Sequence, residues 1–144
     1  MWSDPDIVSA EPLFEAFPQW RILARREVNR YGEEYVLVEF DPPPAADVDE
    51  GLWITCDSEI TVGFAEYHEH FWAWIEEDIR DRGALDFVRG ILEERVAVAT
   101  LFDGDEAVAY TTVETGEPNR PVVGHRTYNR MRVRSWNGTF NRDP

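Results

Sequence analysis

Apolar positions alternate with polar ones at both ends of the chain and recur at helical spacing between them. Tyr35-Val36-Leu37-Val38-Glu39-Phe40 is a run of β-branched and aromatic residues, and it stops at Asp41-Pro42-Pro43-Pro44, whose prolines supply no ladder donors. Leu52–Cys56 and residues 59–64 read as two strands of a hairpin joined at Asp57-Ser58. Residues 22–28 make a more mixed strand, punctuated by Tyr31-Gly32, and residues 12–17 a short helical turn with Phe14 and Phe17 on one face. Then the period changes. Phe71, Ile75 and Ile79 recur every four residues, with Trp72 beside them and acids elsewhere, which predicts an amphipathic helix over about 71–80. Gly83 breaks it, and Ala84, Leu85, Val88, Ile91 and Leu92 share one face of a second helix over about 84–95. Strand character returns at 96–102, turns at 103–106, and pairs back over 107–113. After a Pro/Gly loop, residues 126–136 read as a long strand, Asn137-Gly138 as a type I′ turn and Thr139-Phe140 as the return. Strands, then helices, then strands predict an α+β fold, an antiparallel sheet with two short helices packed on one face.

Length changes this picture little: 144 residues make a single domain with room for a real core. No apolar run approaches the roughly 20 residues of a membrane span, and the first residues have no basic-then-apolar leader pattern. Cys56 is the only cysteine, which excludes an internal disulfide and a cysteine-based zinc site and fits a reducing cytoplasm.

Charge changes it more. The formal net charge is −15, and all 14 basic residues are arginine. Residues 31–118 hold 23 acids against 4 arginines, so this segment alone carries −19. Such a field repels nucleic acid and anionic membranes and attracts a basic protein partner. A GC-rich genome or a saline host would produce the same bias without a partner.

Candidate chemistry concentrates in Glu66-Tyr67-His68-Glu69-His70-Phe71-Trp72-Ala73-Trp74-Ile75-Glu76-Glu77-Asp78. If the strand ending near Phe64 continues, His68 and His70 point to one face, with Glu66 on it, and suit one metal ion. If the helix has begun, the rings diverge and hold a strand-to-helix corner, packed on Trp72 or Trp74. The spacing of Gly63, His68, His70, Glu76 and Gly83 resembles the first metal motif of the cupin family, and that of Gly116, Pro121, Gly124, His125 and Asn129 the second. That resemblance implies a small metalloprotein using His68, His70 and His125, on a barrel that the helical pattern of 71–95 does not match. Glu76, Glu77, Asp78 and Asp81 fit a solvated helix face. The alternation Arg130-Met131-Arg132-Val133-Arg134 puts three arginines on one sheet face, where cross-sheet carboxylates would meet them. Cys56 sits mid-strand, and there is no Gly-x-Ser-x-Gly elbow or Gly-rich phosphate loop, so no catalytic residue and no cofactor is assigned.

The stretches WITCDSEITVGFAEYHEHF (53–71), ALDFVRGILEERVAVA (84–99) and RVRSWNGTF (132–140) together resemble small acidic bacterial proteins of the immunity class, those encoded beside polymorphic toxins. The resemblance implies a non-enzymatic protein that binds and blocks one cognate toxin, often a nuclease with a basic cleft. On the charge and aromatic pattern, the expected contact residues are Glu76, Glu77, Asp78 and Asp81, the acidic loop Asp47, Asp49 and Glu50, and an aromatic among Tyr67, Trp72 and Trp74.

Overall fold

The computed structural model describes residues 7–75, 83–116, 121–124 and 126–144. Their architecture is α+β, with two antiparallel sheets rather than one. Contacts divide the chain into two compact units, each assembled from separated stretches: residues 1–40, 52–63 and 68–88 in one, and 41–51, 64–67 and 89–144 in the other.

The first unit is built on a five-stranded sheet in sequential order: β1 (Arg25–Val28), β2 (Glu34–Phe40), β3 (Leu52–Cys56), β4 (Ile60–Phe64) and β5 (Tyr67–Phe71). Alternation decides which face is core. Val36, Val38, Leu52, Ile54, Cys56, Ile60 and Val62 are buried, while the intervening positions Arg25, Leu37 and Thr55 align on the other face through the register Arg25↔Leu37 and Leu37↔Thr55. Asp57 ends β3: its main-chain N–H donates to Glu59 O at 3.0 Å, and its carboxylate accepts from Glu59 N at 3.0 Å. Part of the predicted first strand is a 3-10 turn, Pro18–Leu23, because Trp20 folds back to stack on Phe17 at 4.1 Å. The short helix α1 (Glu11–Ala16) precedes it and buries Leu13 and Phe14.

The expected helix from 71 does not begin there. Phe71 is the last residue of β5 and is buried, while Ile75, on the same helical stripe in the sequence, is 66% exposed. Residues 73 and 74 have another task. The carbonyls of Ala73 and Trp74 accept the N–H groups of Ala84 and Leu85, each at 3.0 Å, and so satisfy the first donors of helix α2 (Ala84–Leu92). The rest of the expected helix, from 76 onward, lies outside the described residues.

Burial of Cys56, with the Asp57 carboxylate beside it, pushes its thiol up to about 12. The native protein is therefore expected to resist alkylation at pH 8 and to react at once when unfolded; rapid labelling of folded protein would contradict this placement.

The second unit is built on a three-stranded sheet in the order β7 (Glu106–Glu114), β6 (Val96–Asp103), β8 (Arg130–Arg134). Val98, Thr100, Arg132 and Arg134 occupy one face, as the pairs Val98↔Arg134 and Thr100↔Arg132 require. Ala99 and Leu101 occupy the other, in a cluster with Ala109, Met131 and Val113. Strand β8 is shorter than the sequence suggests. Beyond it the chain makes a β-turn closed by Gly138 N donating to Ser135 O at 3.0 Å, with glycine in the fourth position, not a two-residue I′ hairpin. The physical reason is Glu94, whose buried carboxylate accepts five hydrogen bonds from residues 135–139 and wraps that loop around itself.

Candidate functional site

Three places collect the side chains singled out above. The first follows β5. Tyr67 is half-buried in the strand. Trp72 is 80% exposed, and Ile75 stands out beside it in the sequence. Trp74 is not a surface anchor: it is 5% exposed, and its indole N–H donates to Ser9 O at 2.7 Å. Burial of this ring closes the segment over the core and leaves Trp72 as the aromatic that solvent reaches. Glu76, Glu77, Asp78 and Asp81 lie outside the described residues.

The second place belongs to the second unit. Asp47, Asp49 and Glu50 are exposed on the loop between β2 and β3. With Val48, Ala65, Glu66, Val98, Thr100, Arg132 and Arg134, the two aspartates line a pocket of about 160 Å³. The chemistry there is ion pairing. Arg134, only 11% exposed at its side chain, donates from Nη2 to Asp143 at 2.7 Å and lies 3.5 Å from the Asp47 carboxylate, while its Nε donates to Asp47 O at 3.1 Å. Arg132 pairs with Glu66, which also accepts from Thr100 Oγ1 at 2.8 Å. Arg130 pairs with Asp105 at 3.0 Å. The arginine face was expected to find its carboxylates across the sheet, but the residues opposite are Val98, Thr100 and Phe102, so the acids come from turns and loops. Among the described residues the buried Nε of Arg132 has no hydrogen-bond partner. Among the described residues the pocket's lining contains no histidine or cysteine, and each of its carboxylates there but Asp49 is committed to an arginine.

The third place is the outer face of the first sheet. The strand reading of the histidines is the observed one. His68 and His70 project from β5 with ring centroids 5.2 Å apart. They do not pack on Trp72 or Trp74 as a corner would have them. His68 lies 6.0 Å from the ring of Trp53, and His70 Nδ1 is 2.9 Å from both Glu59 Oε1 and Thr61 Oγ1. Glu66, expected on the same face, sits instead in the turn before β5 with Thr100 and Arg132, and His125 lies outside the described residues. Among the described residues no three His, Cys, Asp or Glu side chains are grouped to hold a metal ion. Gly63 shapes this face: a Cβ there would meet the Trp53 indole at 2.1 Å, so the indole lies across the glycine. Glu59, Thr61 and Trp53 escaped the sequence reading because their neighbourhood depends on strand register, not on spacing along the chain.

No family model, no curated protein and no solved structure matches the chain. Among the described residues no helix is long and apolar enough to cross a membrane.

Proposed function

We propose that this is a non-enzymatic binding protein that neutralises a basic protein partner by direct contact, as an immunity protein does with its cognate toxin. The observation that carries the reading is Trp72, 80% exposed, with Ile75 66% exposed three residues on, at the head of the acidic run Glu76, Glu77, Asp78 and Asp81. Large apolar side chains left in water have a cost that burial against a partner removes, and aromatic anchors rimmed by charge are the usual energetic centre of interfaces. The −15 net charge then draws a cationic surface and raises the association rate more than the lifetime of the complex. Asp49 and Glu50, exposed and outside the arginine pairs, add to that field from the second unit. The occlusion needs no catalytic group, and Asp47 and Glu66 in the pocket are paired with arginines.

The test starts from the chain that co-purifies with the native protein at low salt. It is expected to be basic, and its association rate to fall steeply as salt rises. Trp72→Ala is expected to weaken the complex about 30-fold, mainly through faster dissociation, while Glu76→Lys with Asp78→Lys slows association. Salt-independent association, or affinity indifferent to all three substitutions, would sink the reading.

A further inference from the structure

We propose that His68 and His70 form a two-histidine clip for a divalent transition-metal ion, with water completing its coordination and Glu59 as the positioning residue behind it. The two side chains leave the same face of β5, two residues apart, and both are exposed. Nitrogen ligands at about 2.0–2.1 Å in tetrahedral geometry place two imidazole centroids about 5 Å apart. The rings stand at 5.2 Å, the centroid spacing that such an ion requires.

The contact of Glu59 with His70 sets the tautomer. A carboxylate oxygen 2.9 Å from Nδ1 has no favourable contact with a lone pair, so Nδ1 carries the proton and donates it. Nε2 is then the nitrogen left for the ion, and the carboxylate fixes the orientation of the ring. Thr61 Oγ1, at 2.9 Å from the same Nδ1, braces the ring from β4. His68 is backed by the indole of Trp53, which Gly63 allows to lie flat on the sheet. The donors therefore rest on strands rather than loops, which holds their spacing. Two imidazoles select zinc, nickel or copper over magnesium or calcium, which take oxygen ligands. With two protein ligands the site is an open clip, separate in residues and chemistry from the partner-binding surface proposed above.

The experiment is a titration of the whole protein with Zn²⁺ or Ni²⁺ against a chromophoric chelator, with tryptophan emission as a second signal from Trp53. One ion per chain is expected to bind, with affinity falling tenfold or more in His68→Ala and in His70→Ala. Glu59→Ala is expected to weaken binding about tenfold with an unchanged melting temperature, and Glu59→Gln, which keeps an acceptor for Nδ1–H, by less. His125→Ala is expected to bind as the native chain does. Absence of saturable binding, binding that survives His68→Ala, or binding lost in His125→Ala would overturn the clip. Should an alanine variant fail to fold, His68→Gln and His70→Gln give the same reading.

Discussion

Replacing Glu94 by alanine is expected to destabilise the protein by roughly 3–5 kcal/mol, the largest single-residue effect outside the apolar core. Its carboxylate accepts from Ser135 Oγ at 2.5 Å, Thr139 Oγ1 at 2.7 Å, Thr139 N at 3.1 Å, and Asn137 N and Nδ2, both at 3.2 Å. Removing the acceptor strands these donors in a site where Glu94 is 9% exposed and Ser135 fully buried. The backbone argues in the same direction. Glu94 has φ +57 and follows the last turn of α2, with Glu94 N donating to Ile91 O and Arg95 N to Gly90 O. That is the helix-ending pattern usually completed by glycine, and a side chain there costs about 1–2 kcal/mol. The strain persists because the side chain supplies more than its conformation costs. Glu94→Gly should thus be more stable than Glu94→Ala by about 1 kcal/mol, and both far below the native chain. Urea midpoints of the three proteins decide this; an alanine variant as stable as the native chain would refute the role.

The same carboxylate ties stability to acid. Burial alone would raise its pKa, but the hydrogen bonds from Ser135, Thr139 and Asn137 outweigh burial and hold it at about 2, against an ordinary 4.5. A lowered folded-state value means that the unfolded chain binds the proton more tightly. The contribution is complete above pH 4.5 and disappears as pH falls through 2. It amounts to roughly 3 kcal/mol. Glu94→Gln, which cannot ionise, should lose this part of the acid dependence, so its deficit relative to the native chain shrinks towards low pH. A deficit constant from pH 7 to pH 2.5 would contradict it.

Local patterns were legible where a single element carries them. The run 35–40, the hairpin through Asp57 and the apolar stripe of α2 all follow from period and punctuation; the strands lie within a residue of their observed places, while the helix stops at Leu92, three residues short of the expected end. The failures are tertiary. Phe71 and Ile75 have helical spacing, yet β5 extends through Phe71 because its edge of the sheet is open to pairing, and Trp74 is drawn inward by Ser9 O. In Leu92-Glu93-Glu94-Arg95 nothing sets Glu94 apart from its neighbour Glu93. The hint lay 40 residues on, in Ser135, Asn137 and Thr139, donors clustered around a glycine and in need of an acceptor. Nothing in the sequence says which of 29 carboxylates answers them.

The candidate sites divide in the same way. Two histidines two apart on a strand were readable as a pair, and RMRVR as an arginine face, since both rest on the strand period. Their partners were not. Glu59 reaches His70, and Glu66 reaches Arg132, through turns whose geometry is fixed only when the strands register. The net charge said that a basic partner would be attracted, but not that Asp47 and Glu66 would be committed to arginines of the chain itself.

Gly138→Ala is the second substitution expected to cost heavily, about 3–4 kcal/mol, and its cause is separable from that of other glycines. Gly138 has φ +79, and a Cβ on it would stand 2.1 Å from Ala45 O and 2.7 Å from Ala45 C. The obstacle is backbone, so no side-chain rotation relieves it. The 135–141 loop must lift from residues 45 and 46, and Asn141 Nδ2 then loses its bonds to Ala46 O at 2.8 Å and Ala45 O at 3.3 Å. Gly104 isolates the conformational part: its φ is +64, but a Cβ there meets nothing within 4 Å. Gly104→Ala should cost only about 1 kcal/mol, the strain of a left-handed alanine. Asparagine sharpens the contrast, because it tolerates that conformation. Gly104→Asn should recover most of the loss, whereas Gly138→Asn should recover almost none, since its Cβ meets the same carbonyl. Thermal melts of the four variants separate the two causes. Equal penalties at the two positions, or rescue of residue 138 by asparagine, would show that the loop does not rest on residue 45.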